Sequence, residues 1–155
     1  MRKMMLFGAL ITLTGCISNQ VSPLLEGNPG ITFGIHGDHI PTFNAVEFIR
    51  MPTDLERTSA CLARNAGGGN GQVVKLGDSV SMDGQSTFFW ADGPRTQSFL
   101  FSLTAYPSQG RYLYERIQWD TPRRTPLFAE KSFSPENAYA AMEEIVDRIV
   151  ACAKK

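Results

Sequence analysis

The sequence predicts an α+β domain of two layers, in which two helices cover one face of an antiparallel meander sheet of about four or five strands. Residues 72–119 alternate between apolar and polar side chains, and three turn-forming segments interrupt the alternation, as in an antiparallel sheet. A helix-capping sequence lies before this region, and an apolar stripe of helical period follows it. The predicted order of elements is β-α-β-β-β-β-α.

The first strand is predicted over residues 31–35, and a second candidate lies around residues 46–50. Both segments contain β-branched and aromatic side chains, which favour strands. Pro41 lies between them and has no N–H group, so we expect it to interrupt a ladder of hydrogen bonds. The first helix then begins at Thr53, because Thr53 and Glu56 have the spacing of a capping box.

The central region is predicted to form a meander of antiparallel strands. Asp83 and Gly84 are a dipeptide typical of tight turns, because glycine accepts a positive φ. In the clearest strand, Phe99, Phe101 and Leu103 point to one face. The predicted strands are 73–80, 87–91, 98–106 and 111–119, and the predicted turns are 82–85, 92–94 and 107–110.

The second helix is predicted to begin at Ser134, which is followed by a proline at the first helical position. The apolar residues that follow are spaced by three or four positions and therefore form one continuous buried stripe. These residues are Ala138, Met142, Ile145, Ile149 and Cys152. The segment before the helix, residues 121–133, contains several prolines and arginines and is expected to be irregular.

The beginning of the chain has the features of a secretory signal peptide. Arg2 and Lys3 precede the apolar run Met4–Leu13, which is too short to span a bilayer core of about 30 Å. The tetrad Leu13-Thr14-Gly15-Cys16 resembles the lipobox of bacterial lipoproteins. That resemblance implies cleavage after Gly15 and acylation of Cys16. Because Ile17 rather than aspartate follows, it also implies sorting to the outer membrane, with the domain facing the periplasm.

These observations divide the chain into three parts. Residues 1–15 are the predicted signal peptide, residues 16–30 are the lipidated cysteine with a flexible tether, and residues 31–155 are a single domain. The tether is predicted because residues 17–30 contain two prolines, two glycines and no apolar period. A fully extended tether of this length reaches roughly 45–50 Å, so the domain need not touch the membrane.

Two cysteines, Cys61 and Cys152, remain after the lipidated one. In an oxidising compartment such a pair tends to form a disulfide, and only one intramolecular pairing exists. The alternative is two buried free thiols. Because Cys152 lies on the apolar stripe of the second helix, a disulfide would place both helices on the same face of the sheet.

Charge excludes one class of function. The chain has 15 basic and 15 acidic residues, and removal of Arg2 and Lys3 leaves 13 basic residues against 15 acidic ones. A near-neutral mature chain lacks the basic face of nucleic-acid-binding proteins, so no nucleic-acid partner is expected. The sequence also lacks the Gly-x-Ser-x-Gly and Ser-x-x-Lys nucleophile motifs.

Two groups of residues are candidates for a functional site. His36, Asp38 and His39 lie within four positions and could ligate a metal, although a polar turn with solvated histidines explains the same pattern. Tyr112 and Tyr114 alternate with Leu113 and are predicted to lie on the uncovered face of the sheet. Aromatic side chains with polar tips, Trp90 included, favour contact with proteins or glycans. The alternative is that these aromatics complete a small core.

The predicted function is a non-enzymatic accessory or binding module in an envelope assembly. The predicted partners are the membrane, through the lipid on Cys16, and an envelope protein; no cofactor is expected. Two alternatives remain. One is a metal-binding protein or hydrolase that uses the histidine loop, and the other is a lipid- or glycan-binding domain that uses the aromatic sheet face.

Overall fold

The computed structural model describes residues 20–67, 71–93 and 95–155; the predicted signal peptide and Cys16 lie outside these ranges. The described part contains six strands and two α-helices. They are β1 (Ile31–His36), β2 (Ile40–Ile49), α1 (Leu55–Asn65), β3 (Val74–Leu76), β4 (Ser79–Phe89), β5 (Thr96–Tyr106), β6 (Arg111–Trp119) and α2 (Pro135–Ala153). Neither helix has the length and apolar content needed to cross a membrane.

The strands form one open antiparallel sheet in the order β1-β2-β6-β5-β4-β3. The predicted α+β class with two helices and an antiparallel sheet is therefore confirmed, and the predicted strand number is too low. Two strands rather than one precede α1. The meander continues from β3 to β6, and β2 pairs with β6 to bring the first hairpin into the same sheet.

Pro41 lies inside β2 rather than interrupting it, opposite Ile35 of β1. Its carbonyl accepts a hydrogen bond from the Ala129 N–H at 2.8 Å, on the side away from β1. The nitrogen of a strand residue points to the same side as its carbonyl, so the missing N–H is not needed by β1. The expectation that proline separates two strands is therefore wrong.

The predicted turn at Asp83–Gly84 is also wrong, because β4 continues straight through it. Glycine is needed here for a different reason. A Cβ on Gly84 would lie 2.4 Å from the Ala66 carbonyl oxygen and 2.6 Å from the Phe101 ring. The chain instead reverses at Gly77, where φ is +62°, between β3 and β4. Gly84 thus allows the end of α1 to approach the sheet closely.

Both helices pack on the face of the sheet that carries the apolar side chains of β5. Phe99, Phe101, Leu103 and Ala105 are buried on this face, as the alternation predicts. The α2 residues Ala138, Met142, Ile145 and Ile149 are buried as well, which confirms the predicted stripe. The core therefore lies between one side of the sheet and the two helices.

The predicted disulfide is confirmed: Cys61 in α1 and Cys152 in α2 are bonded, with their Cα atoms 5.8 Å apart. It joins the two helices across 91 positions of sequence. The start of α1 differs slightly from the prediction, since Asp54 is the N-cap and accepts a hydrogen bond from the Arg57 N–H. Thr53 instead contacts the Thr58 hydroxyl at 2.8 Å.

The segment before β1 is packed against the domain, so the prediction of a flexible tether is wrong for residues 21–30. Val21 forms a bridge with Glu130, and the Ser22 N–H donates to the Ala129 carbonyl at 3.2 Å. Ser22 and Leu25 are buried. Proline and glycine suggested a tether, but here they form turns that follow the domain surface.

Candidate functional site

The histidine loop lies at the tip of the β1–β2 hairpin. His36 ends β1, and Asp38 and His39 form the exposed turn. The His36 ring packs 6.0 Å from the ring of Phe128, between centroids. Across the described ranges, no three histidine, cysteine, aspartate or glutamate side chains come together as metal ligands would. The geometry therefore gives this loop no special support as a metal site.

The predicted exposure of Tyr112 and Tyr114 is wrong, because both side chains are completely buried beneath the helices. A β-bulge explains the error. Arg116 has a φ of +49°, and Arg116 and Ile117 together lie opposite a single residue of β5. The extra residue reverses the alternation, so the two tyrosines share the buried face with Ile117 and Trp119.

Trp90 is half-buried at the end of the sheet rather than displayed on its open face. Its indole N–H donates to the Ser132 carbonyl at 2.7 Å, and its ring stacks on Phe133 with centroids 5.0 Å apart. Trp119 packs beside it at 6.2 Å. Trp90 therefore closes an aromatic cluster at this end of the molecule and leaves part of its ring accessible.

The opposite face of the sheet carries no helix within the described residues and is predominantly polar. Its side chains come from alternate positions of β4, β5 and β6. They include Ser81, Asp83, Gln85, Leu100, Ser102, Thr104, Leu113, Arg116 and Gln118. We call this surface the open face.

A cavity of about 340 Å³ lies on the open face beside the bulge of β6. Its lining includes Arg116, Gln118, Leu100 and Asp83, together with Arg124 from the loop that follows β6. A second cavity of about 300 Å³ lies on the other side of the bulge and shares Arg116 and Gln118 with the first. Arg116 is therefore the centre of a groove that crosses four strands, β2, β6, β5 and β4.

Hydrogen bonds fix the guanidinium of Arg116 over the groove. Its Nη2 donates to Asp83 Oδ1 at 2.7 Å and to Ser102 Oγ at 3.1 Å. The Ser102 hydroxyl also donates to Asp83 at 2.8 Å. Arg116 and Asp83 remain 68% and 70% exposed, so the remaining N–H groups of the guanidinium can reach a ligand.

Arg124 adds a second guanidinium to the same cavity. This guanidinium forms no ion pair with any of the other described residues. Its φ is +47°, and Arg116 has a similar value. Such a conformation costs a residue with a side chain of the order of 1–2 kcal/mol, and it concentrates at functional sites. The cavity is therefore lined by the hydrogen-bonded guanidinium of Arg116 and by that of Arg124, whose N–H donors are suited to a carboxylate or another oxygen-rich group.

The sequence carried no signal for this site. Arg116 and Arg124 are ordinary arginines in the sequence, and only the bulge and the loop place both at one cavity. The other sequence candidates do not join them: the histidine loop lies at the hairpin tip, the tyrosines lie in the core, and Cys16 lies outside the described residues.

In comparisons with known proteins, no family description and no curated protein matches this chain. It is similar to a solved structure of a DUF4468 family protein from Bacteroides ovatus, at 10% sequence identity and a TM-score of 0.39. That similarity covers 86% of this chain and 95% of the other.

Proposed function

We propose that this protein is a lipid-anchored, non-enzymatic binding module of the bacterial cell envelope. It holds an envelope protein through the open face of its sheet, at the groove centred on Arg116. The observation that carries the binding role is this groove, in which two arginines with positive φ line one cavity. The partner is expected to present a carboxylate-bearing segment to the guanidinium groups.

Two features support the envelope location. The tetrad that ends at Cys16 resembles a lipobox, which implies an acylated N-terminus in the outer membrane. The disulfide between Cys61 and Cys152 is the kind of bond that persists in oxidising compartments such as the periplasm. Both are expected of a protein that is exported and then held at a membrane surface.

The groove is suited to a protein segment because its two cavities share Arg116 and Gln118 and have linings of mixed character. Leu100 and Ala45 provide apolar contact on either side of the bulge, while Arg116 and Gln118 provide hydrogen-bond donors between them. A chain segment laid across the groove would thus find alternating apolar and polar contacts. Arginine is also among the residues that contribute most to protein interfaces.

Photo-crosslinking in intact cells tests this proposal. A crosslinking amino acid in place of Gln118 is expected to capture one discrete envelope protein. Adding Arg116→Ala and Arg124→Ala should reduce the capture at least about tenfold, because charge-assisted hydrogen bonds contribute roughly 1.5–3 kcal/mol each. The unfolding midpoint should stay near that of the parent, since the Arg116–Asp83 pair is exposed.

Arg57→Ala is the matched control, because Arg57 is an exposed arginine on α1. This variant should capture the partner as well as the parent does. Equal capture by all three proteins would contradict a binding role for the groove.

A further inference from the structure

We infer that the end of the domain at which the chain enters from Cys16 lies against the bilayer. This end, the entry end, is defined by Gln20, Lys131, Trp90, Phe89 and Ile35. The inference rests on the proposed lipid anchor and adds an orientation and a second interaction surface. The occupant of that surface is the membrane that holds the acyl chains of Cys16.

The chain between Cys16 and the domain is short. The Gln20 carbonyl accepts a hydrogen bond from the Lys131 N–H at 3.2 Å, and Val21 and Ser22 are bonded to the domain directly after it. Only four peptide units separate Cys16 from Gln20. Fully extended they span at most about 14 Å.

The domain is larger than this link. The 19 residues of α2 alone extend over roughly 28 Å, at about 1.5 Å per residue. The link is thus at most about half as long as α2. It holds the entry end within about 14 Å of Cys16, so this end is the part of the domain kept nearest the bilayer.

The entry end displays two large apolar side chains. Phe89 is 56% exposed and Ile35 is 73% exposed, and they are two of the seven large apolar side chains exposed among the described residues. Phe89 is joined to α2 near its start, because its carbonyl accepts from the Asn137 side chain at 2.7 Å. Ile35 lies opposite Pro41 in the neighbouring strand. The Pro41 carbonyl accepts a hydrogen bond from the Ala129 N–H, and the Ala129 carbonyl accepts one from the Ser22 N–H.

Trp90 and Lys131 complete a surface of the kind found at membrane interfaces. Trp90 keeps its indole N–H bonded to Ser132 while part of its ring is accessible, and tryptophan is enriched where apolar chains meet headgroups. Lys131 is exposed beside Gln20 and can contact lipid phosphates. Asp92 and Arg95, in the turn beyond Trp90, carry opposite charges and add no net charge to this end, so contact would rest mainly on apolar burial.

Lysine acylation of the lipidated protein tests the orientation. The protein is placed in vesicles of phosphatidylethanolamine and phosphatidylglycerol or in detergent, and a water-soluble amine reagent is added. Lys131 is expected to react severalfold more slowly in vesicles. Lys155, at the far end of α2, should react equally in both. Equal reactivity of Lys131 in vesicles and detergent would overturn the inference.

Three variants separate contact from mere proximity. A long Gly-Ser spacer between Asn19 and Gln20 should restore much of the reactivity of Lys131. Phe89→Asp with Ile35→Asp should do the same, whereas Met51→Asp should not, although Met51 is 69% exposed. If neither the spacer nor the paired aspartates raised the acylation rate of Lys131 in vesicles, contact through this surface would be refuted.

A chemical anchor makes the outcome independent of acylation in the cell. In residues 16–155 with the disulfide intact, Cys16 is the remaining free thiol and can be coupled to a maleimide lipid. If Lys131 is protected in the chemically anchored protein but Cys16 of the protein from cells carries no acyl chain, the proposed lipid anchor is refuted and the docking surface stands. If Cys16 from cells is acylated but Lys131 is not protected, the lipid anchor stands and the docking surface is refuted.

Discussion

Replacement of both Cys61 and Cys152 with alanine is expected to lower the free energy of unfolding by about 3–5 kcal/mol. The disulfide closes a loop of 91 positions, and a crosslink of this length removes much of the entropy of the unfolded chain. For a domain of this size the melting temperature should fall by roughly 10–20 °C. Urea unfolding followed by circular dichroism measures the change.

Reductant provides the matched control for this prediction. The reduced wild type should have a urea unfolding midpoint close to that of the alanine variant. Reductant should not change the midpoint of the alanine variant itself. Alanine suits the test because Cys61 is buried and serine would leave a hydroxyl in the core. A variant as stable as the oxidised wild type would show that the crosslink adds nothing to the packing of α1 on α2.

Truncation of Tyr114 is expected to cost about as much as loss of the disulfide. Tyr114 is fully buried, and its ring lies 4.9 Å from that of Phe101, between centroids. Tyr114→Ala should therefore lower the free energy of unfolding by about 3–5 kcal/mol. Tyr114→Phe removes only the hydrogen bond from the hydroxyl to the Met142 carbonyl, and should cost about 1 kcal/mol.

Tyr106→Phe is the control for the phenylalanine variant. Tyr106 is half-buried, and its ring lies under the Arg111 guanidinium rather than in the core. Loss of its hydroxyl should leave the free energy of unfolding nearly unchanged. If Tyr114→Ala lowered the free energy of unfolding as little as Tyr106→Phe does, the side chain of Tyr114 would not be in the core. That result would contradict the bulge in β6, which places Tyr114 on the buried face.

Alkaline pH gives a second readout for Tyr114. Burial raises the pKa of its hydroxyl above the ordinary value near 10, so the native state keeps the proton that the unfolded chain releases. Its contribution to stability is therefore intact below about pH 10 and is lost as the pH rises further. Tyr114→Phe should lose stability less steeply than wild type above that pH.

Local signals predicted much of the fold. The alternation around Phe101 determines one strand, and the stripe that includes Met142 determines α2, because each periodicity permits only one arrangement against a core. In both cases residues close in sequence carried enough information to predict the structure. The disulfide was predicted on other grounds: the lipobox resemblance implies an oxidising compartment, and Cys61 and Cys152 allow only one pairing.

Predictions failed where distant contacts decide the structure. Gly84 resembles a turn residue, yet it is needed because Ala66 and Phe101 approach its Cα. The positive φ of Arg116 depends on the pairing of β6 with β5, and it reverses the face on which Tyr112 and Tyr114 lie. The groove could not be predicted for the same reason, since Arg116 and Arg124 line one cavity only after the bulge has formed.

The chemical state of Cys16 is the most direct test of a lipid-anchored role. Intact mass spectrometry of the protein extracted from membranes, with fragmentation of its N-terminal peptide, would determine it. The expected result is a chain that begins at Cys16 and carries acyl chains there, released from the membrane fraction by Cys16→Ser. A chain that begins at another residue, or an unmodified Cys16 in a soluble protein, would contradict the lipid-anchored account.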